Sequence, residues 1–229
     1  MLRTPAPLIG ALDGMTSFSE AFEANGYHVL KAVATDTEIR DIEAHVADLA
    51  LDGAGTRNLL TTTWCRRVAN KLRQIPEIAS VLPPSAVAIQ CTYFEKSISK
   101  NWLVAIHRDL SVPVKARIDS ADWTAWSEKE GVLFAHPPES VLQSVVAVRV
   151  HLEENHEANS PLQVVPGSHL AGEGSNLRAT CLVPRGGALI MRPLLLHASS
   201  KLVTGRRRVL HFVFGPRELP NKAEWAHAV

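Results

Sequence analysis

The chain has 229 residues, 46% of them hydrophobic and 21% charged, with 24 Lys and Arg against 23 Asp and Glu. So even a balance excludes an overall field drawing the protein to nucleic acid or an anionic membrane, and it favours a small-molecule partner. Three cysteines, Cys65, Cys91 and Cys181, are odd in number and lack metal-type pair spacing, which excludes a disulfide framework and fits reduced core thiols in a cytoplasmic protein.

The opening MLRTPAPLIGALDG has an apolar stretch too short and too broken by prolines for a signal peptide, and it reads as a tail before Met15. No apolar run approaches the ~18 to 20 residues that a membrane span needs. The segment ATDTEIRDIEAHVADLA sets Thr35 three residues before Glu38, a capping box, and then repeats apolar residues at Ile39, Ile42, Val46 and Leu49. That spacing predicts an amphipathic helix. A second helix is predicted over about 65–82, with Val68, Leu72 and Ile75 on its apolar face and a bend at Pro76.

After Pro84 the texture changes to short runs rich in Val, Ile, Leu and Phe: AVAIQCTYF, NWLVAIH, VLQSVVAVRVHL, PLQVVPG, ATCLVP, GALIMRPLLLH and RVLHFVFG. Turn residues separate several of them, notably Pro166 with Gly167 and Pro184 with Gly186 and Gly187. Many short strands without intervening helices predict an antiparallel jelly-roll barrel rather than a parallel α/β sheet. With no repeat and no Gly/Ser linker, residues 1–229 read as a single domain, mainly β, with a helical N-terminal part over about 15–83 and a jelly-roll core over about 85–217. Oligomeric state cannot be read.

Chemistry concentrates at a few positions. In NWLVAIHRDL, His107 and Asp109 lie two apart, so on an extended chain their side chains share a face. The pair suits two ligands of one metal; an aspartate that only fixes a histidine tautomer would look the same. His197 closes the apolar run GALIMRPLLL and is the best third ligand. Two imidazoles and one carboxylate on one face of a metal form the donor set of non-haem Fe(II) oxygenases. In TGRRRVLHFVF, alternation puts Arg207 on the face of Val209 and His211, while Arg206 and Arg208 share the face of Leu210, Phe212 and Phe214. Arg207 then points inward, and its planar guanidinium suits a carboxylate; a solvated basic turn is the plainer alternative. The run HLEENH has its histidines, His151 and His156, five apart and is not the helical zinc motif. No phosphate loop, dinucleotide fingerprint or nucleophile elbow is present.

His107-Arg108-Asp109, PGSH at 166–169, and His197-Ala198-Ser199 followed by Arg207 resemble, in that order, the phytanoyl-CoA dioxygenase family of Fe(II)- and 2-oxoglutarate-dependent oxygenases. The resemblance implies a double-stranded β-helix, the jelly-roll of cupins, with His107, Asp109 and His197 as the metal-binding and catalytic residues. It implies that Arg207 holds the C5 carboxylate of 2-oxoglutarate with help from Ser199, and that O2 is the co-reactant. Ser160-Pro161 stands where the family usually has a glycine before PGSH, a departure at a turn. An aspartate at 109, rather than a small residue, points to oxygen chemistry and not halogenation. The activity implied is hydroxylation of a C–H bond with release of succinate and CO2.

The substrate is less legible. Gln90, on a strand, is a further candidate for cofactor binding, and Arg57 with Asn58, Arg117, Arg149, Trp123 and Trp126 are candidate substrate contacts. Several cationic side chains suggest a small, carboxylate-bearing substrate. Two other readings stay open: a cupin-like metal-binding isomerase, and a barrel that binds a small molecule without catalysis.

Overall fold

The computed structural model describes residues 17–49, 55–170 and 177–229, so the N-terminal stretch read as a tail lies outside the described residues. In chain order come helix α1 (Phe18–Asn25), strand β1 (Tyr27–Leu30), α2 (Asp36–Ala47), the short β2 (Gly55–Thr56), α3 (Thr63–Gln74) and α4 (Pro76–Ala79). Strands follow: β3 (Val87–Ser97), β4 (Val104–His107), β5 (Val112–Val114), β6 (Thr124–Lys129) and β7 (Val132–His136). After α5 (Glu139–Ser144) come β8 (Val146–His151), β9 (Leu162–Val164), β10 (Ala179–Cys181), β11 (Ala188–Met191), β12 (His197–Ser199) and β13 (Arg206–Gly215).

The capping box of α2 forms as its spacing predicts: the Glu38 backbone N–H donates to the Thr35 hydroxyl, and Glu38 accepts from the Thr35 backbone N–H at 2.8 Å. Ile39, Ile42 and Val46 are buried beneath it. The second predicted helix divides at Ile75, whose extended backbone precedes Pro76, the first residue of α4.

The strands form three antiparallel sheets, none closed on itself: β1-β11-β8-β13-β3-β2, β10-β9-β12-β4 and β5-β7-β6. The first two face each other as the halves of a double-stranded β-helix, and side chains of both line one cavity. On the outer face of the six-stranded sheet, Val146, Val148, Val150, Leu210, Phe212 and Phe214 pack against Phe22, Ile39, Ile42 and Leu72 of the helices. The helices therefore close one side of the large sheet and leave its other face to the site.

Some predicted boundaries move. Residues 141–144, read as strand, belong to α5, which follows Pro138 and leaves extended structure to start at Val146. The run GALIMRPLLLH divides into β11 and β12 around a turn, so His197 opens a strand instead of closing one. Two strands fall within the part expected to be helical, because β1 pairs with β11 and β2 pairs with β3 at opposite edges of the large sheet. Among the described residues no helix is long and apolar enough to cross a membrane, and all three cysteines are free and buried.

Candidate active site

β12 lies between β9 and β4, and its register sets His197 directly opposite His107. Their rings sit 4.2 Å apart between centroids. Asp109, just beyond β4, faces both: its carboxylate oxygens are 3.5 Å from His107 Nε2 and 3.6 Å from His197 Nε2. One donor atom from each of the three residues lies within 4.8 Å of the others.

The tautomers are set by the backbone. His107 Nδ1 lies 2.8 Å from the Ala105 carbonyl and His197 Nδ1 lies 2.8 Å from the Leu195 carbonyl. A carbonyl only accepts, so both Nδ1 atoms carry the proton and both Nε2 lone pairs are left for a metal. Desolvation acts to raise the Asp109 carboxyl, but the facing imidazoles of His107, His197 and His211 hold it well below the usual carboxylate range. An anionic oxygen and two imidazole lone pairs converging on one point are the donors a divalent iron requires.

Arg108, between His107 and Asp109, braces them. Its guanidinium donates to the Leu194 carbonyl at 2.8 Å and to the Ser168 carbonyl at 2.9 Å, while the Asp109 backbone N–H donates to Pro193 at 2.9 Å. The Ser168 hydroxyl in turn accepts from Leu196 N–H at 2.9 Å. The PGSH motif thereby ties down the turn that delivers His197, a positioning task and not a chemical one.

Arg207, Val209, His211 and Val213 alternate along the inner face of β13. Their phase is locked from outside: Arg208 donates to Glu153 at 2.5 Å through Nε and to Glu43 through Nη2, and Arg185 also engages Glu43, at 2.8 Å. Slipping β13 by one residue would take Arg208 away from Glu43 and Glu153 and turn Arg207 to the helices.

Arg207 is 5% exposed, donates to the Ser160 carbonyl, and is pushed down to about 9 by burial and by Arg149. Its register partner on β3 is Lys96, 1% exposed, whose ammonium donates to the hydroxyls of Ser199 at 2.9 Å and Ser160 at 3.1 Å and to the Ser200 carbonyl at 2.9 Å. Lys96 also stands 5.0 Å above the Trp102 ring. Arg149, on the inner face of β8, is 8% exposed; its Nη1 lies 3.3 Å from His211 Nδ1 and its Nε has no partner among the described residues. Burial and the Arg149 charge push His211 down to about 3, so it is neutral and accepts from Arg149.

A cavity of about 410 Å³ joins these groups. His107, Asp109, His197, Arg207, Ser199, Gln90, Arg57 and Arg149 all line it. Gln90 stands on β3 six positions before Lys96 and donates to the Thr92 hydroxyl at 2.7 Å. Arg57 sits at the rim, paired with Glu130 at 3.3 Å. Trp123 does not fit its expected place: it is 2% exposed, packs with Val87, Ile89, Val114 and Trp225, and does not line the cavity. Arg117 and Trp126 also lie off the wall and stack on each other at 5.3 Å. Glu153, within the run HLEENH, is taken by Arg206 and Arg208.

Lys96 is the functional candidate that sequence reasoning missed. Continuing the alternation of Gln90, Thr92 and Phe94 by one step would have placed it on the cavity face.

The family model for phytanoyl-CoA dioxygenase (PhyH) matches residues 22–210. The chain belongs to this family. Membership makes the enzyme a non-haem iron(II), 2-oxoglutarate-dependent oxygenase, and the donor set fits that metal. No curated protein matches the chain. Among solved structures it is similar to HygX from Streptomyces hygroscopicus with nickel and 2-oxoglutarate bound, at 17% identity and TM-score 0.63, covering 87% of this chain and 86% of that one. It is also similar to the ThoJ–nickel complex, a non-heme monooxygenase, at 17% identity and TM-score 0.66, over 93% and 82% of the two chains. A third, SnoN, a non-heme α-ketoglutarate-dependent epimerase from nogalamycin biosynthesis, matches at 15% identity and TM-score 0.63, over 86% and 80%. These likenesses establish the double-stranded β-helix fold.

Proposed function

We propose that the enzyme hydroxylates a C–H bond of a small, carboxylate-bearing molecule, converting 2-oxoglutarate to succinate and CO2. The observation that carries this reading is one cavity lined by His107, Asp109 and His197 together with the buried guanidinium of Arg207. When bound, iron(II) and 2-oxoglutarate supply the oxidising power, coupling dioxygen activation to loss of CO2. The chain's own residues hold, orient and insulate. His107, Asp109 and His197 would hold the metal through one donor atom each. Arg207 receives the C5 carboxylate of the cosubstrate in a charge-assisted pair, with the Ser199 hydroxyl and the Lys96 ammonium closing the same end. Phe94, Trp102, Val104 and Leu162 make the walls apolar, which excludes water and strengthens each ionic contact.

Epimerisation, the activity in the SnoN name, finds less support here. It requires a hydrogen donor on the face opposite the abstraction, such as a tyrosine or cysteine, and among the described residues none lining the cavity is either. The test is succinate release under air with Fe(II), across amino acids, organic acids and acyl thioesters. One succinate is expected per hydroxylated product, and isomerised product with no net oxygen incorporation would refute hydroxylation.

Lys96 adds a pH signature. Burial first, then Arg207 and Arg149, push it down to about 7, whereas a carboxylate beside it stabilises the charged form. Below pH 7 the ammonium is already charged and 2-oxoglutarate binds at full strength. Above pH 7 binding must take up a proton, so affinity falls by up to about tenfold per pH unit. Calorimetry on metal-loaded protein at pH 8, in two buffers of different ionisation enthalpy, should show close to one proton taken up, and Lys96→Met should abolish the uptake. Wild-type protein binding without uptake at pH 8 would remove Lys96 from the cosubstrate site.

A further inference from the structure

The charges on the cavity wall are one-sided. Among the described residues Asp109 is the only acidic one that lines it, and that carboxylate faces the metal position; Arg57, Arg108, Lys129, Arg149 and Arg207 also line it. Four of these five have partners or a task. Arg108 is bound to the Leu194 and Ser168 carbonyls, Arg149 to His211, and Arg57 to Glu130, while Arg207 faces the cosubstrate end. Lys129 differs: among the described residues its ammonium has no hydrogen bond and no ion pair, and it stands 4.7 Å above the Phe134 ring. Burial and the neighbouring Arg57 disfavour its charge and outweigh the opposing field of Asp109, so an anion placed in contact with it would be bound with gain.

The cation is also held in place. Lys129 ends β6, and the turn to β7 runs through Glu130 and Gly131, both with positive φ, at 51° and 75°. Glu130 is clasped by the segment after β2: it accepts from the Thr56 hydroxyl at 2.6 Å, from Arg57 N–H at 2.9 Å and from the Arg57 guanidinium at 3.3 Å. Asn58 Nδ2 donates to the Glu130 carbonyl at 2.9 Å. These contacts engage the Glu130 carboxylate and fix the backbone beside Lys129, which leaves an ammonium with no carboxylate in contact among the described residues. Between it and the triad the wall is apolar, with Phe134, Val112 and Leu110.

We propose that Lys129 is the anchor for the carboxylate of the primary substrate, whose apolar body lies along Phe134, Val112 and Leu110 toward the triad. This rests on the reading of the Arg207 end as the cosubstrate site, since the anion at Lys129 must be a second one. The substrate class is then a small amphipathic acid. Polyamines and cationic sugars do not suit the cavity, whose one carboxylate faces the metal position.

The test uses full-length enzyme loaded with nickel(II), which does not turn over, and follows binding by calorimetry. Saturation with 2-oxoglutarate is measured first and reports the underlying reading; its absence in wild type would refute that reading, whereas the next comparison reports Lys129 alone. The probes are 4-phenylbutyrate, its neutral amide and 3-phenylpropyl phosphate. The carboxylate is expected to bind at least about tenfold tighter than the amide and tighter than the phosphate, with the preference erased in Lys129→Met and kept in Lys129→Arg. Affinity for 2-oxoglutarate should stay within about twofold in Lys129→Met, because sites without shared partners act nearly independently. Equal binding of acid and amide, stronger binding of the phosphate, a preference that survives in Lys129→Met, or no saturable binding of any probe would overturn the proposal.

Discussion

Arg207→Met is expected to raise the 2-oxoglutarate concentration for half-saturation by about 30-fold or more, the equivalent of the ~2 to 5 kcal/mol lost when one partner of a buried, hydrogen-bonded charge pair is removed. The magnitude follows from where the guanidinium sits. At 5% exposure it has little water to fall back on, and burial has already pushed it down to about 9, so the folded protein carries an electrostatic cost that a bound carboxylate relieves. Arg207→Lys keeps the charge but loses the two-pronged fork, and an intermediate loss is expected. The measurement is an anaerobic titration of the Fe(II) protein, following the weak visible charge-transfer band that forms when 2-oxoglutarate chelates the metal. Metal affinity should hold, since Arg207 touches none of the three ligands. A variant that saturates like wild type would show that the cosubstrate carboxylate lies elsewhere.

The second large effect is at the metal. Asp109→Ala should lower iron affinity by more than about 100-fold, because loss of an outer partner of a ligand already costs ~10 to 100-fold and a direct anionic ligand contributes more. Succinate release should fall to background. The fold should survive, since the Asp109 side chain is 39% exposed and its loss opens no core cavity; the expected change in unfolding free energy is under about 1 kcal/mol. Metal analysis after purification without chelator, beside a circular dichroism melt, separates the two effects. Full iron occupancy in a variant that melts normally would refute the ligand assignment.

The legible parts of this protein are those written in local patterns. The Thr35–Glu38 box and the spacing of Ile39, Ile42 and Val46 announce α2 because capping and amphipathicity act within a few residues. His107 and Asp109 are readable as a pair because two positions on extended backbone share a face. The phase of Arg207 was readable for the same reason, although what holds that phase, the ion pairs of Arg208 with Glu43 and Glu153, involves residues far away in the chain.

What local pattern does not carry is who faces whom. The residues 141–144 have the Val and Leu content of a strand, yet they follow Pro138 and wind into α5, with Val141 and Leu142 buried. Trp123 sits in a polar-looking stretch that suggested a substrate platform, but the β5-β7-β6 sheet carries it into a core with Trp225, a residue about a hundred positions away. Lys96, in the polar run EKSISK, looks like a solvated strand end; it is buried because β13 and the Ser199–Ser200 stretch close over it.

By itself, then, the order of residues determined the class of fold, the candidate donor pair His107 and Asp109 and the inward arginine, since helical and strand periodicities and the HxD spacing are short-range geometry. Only the tertiary structure decided that His197 pairs in register with His107, that Lys96 reaches Ser199 beside Arg207, and that Lys129 lines the cavity without a contacting carboxylate among the described residues. The physical reason is that sheet register, desolvation and the pairing of charges are settled between segments about 70 to 100 residues apart, and no window of the sequence contains both sides of such a contact.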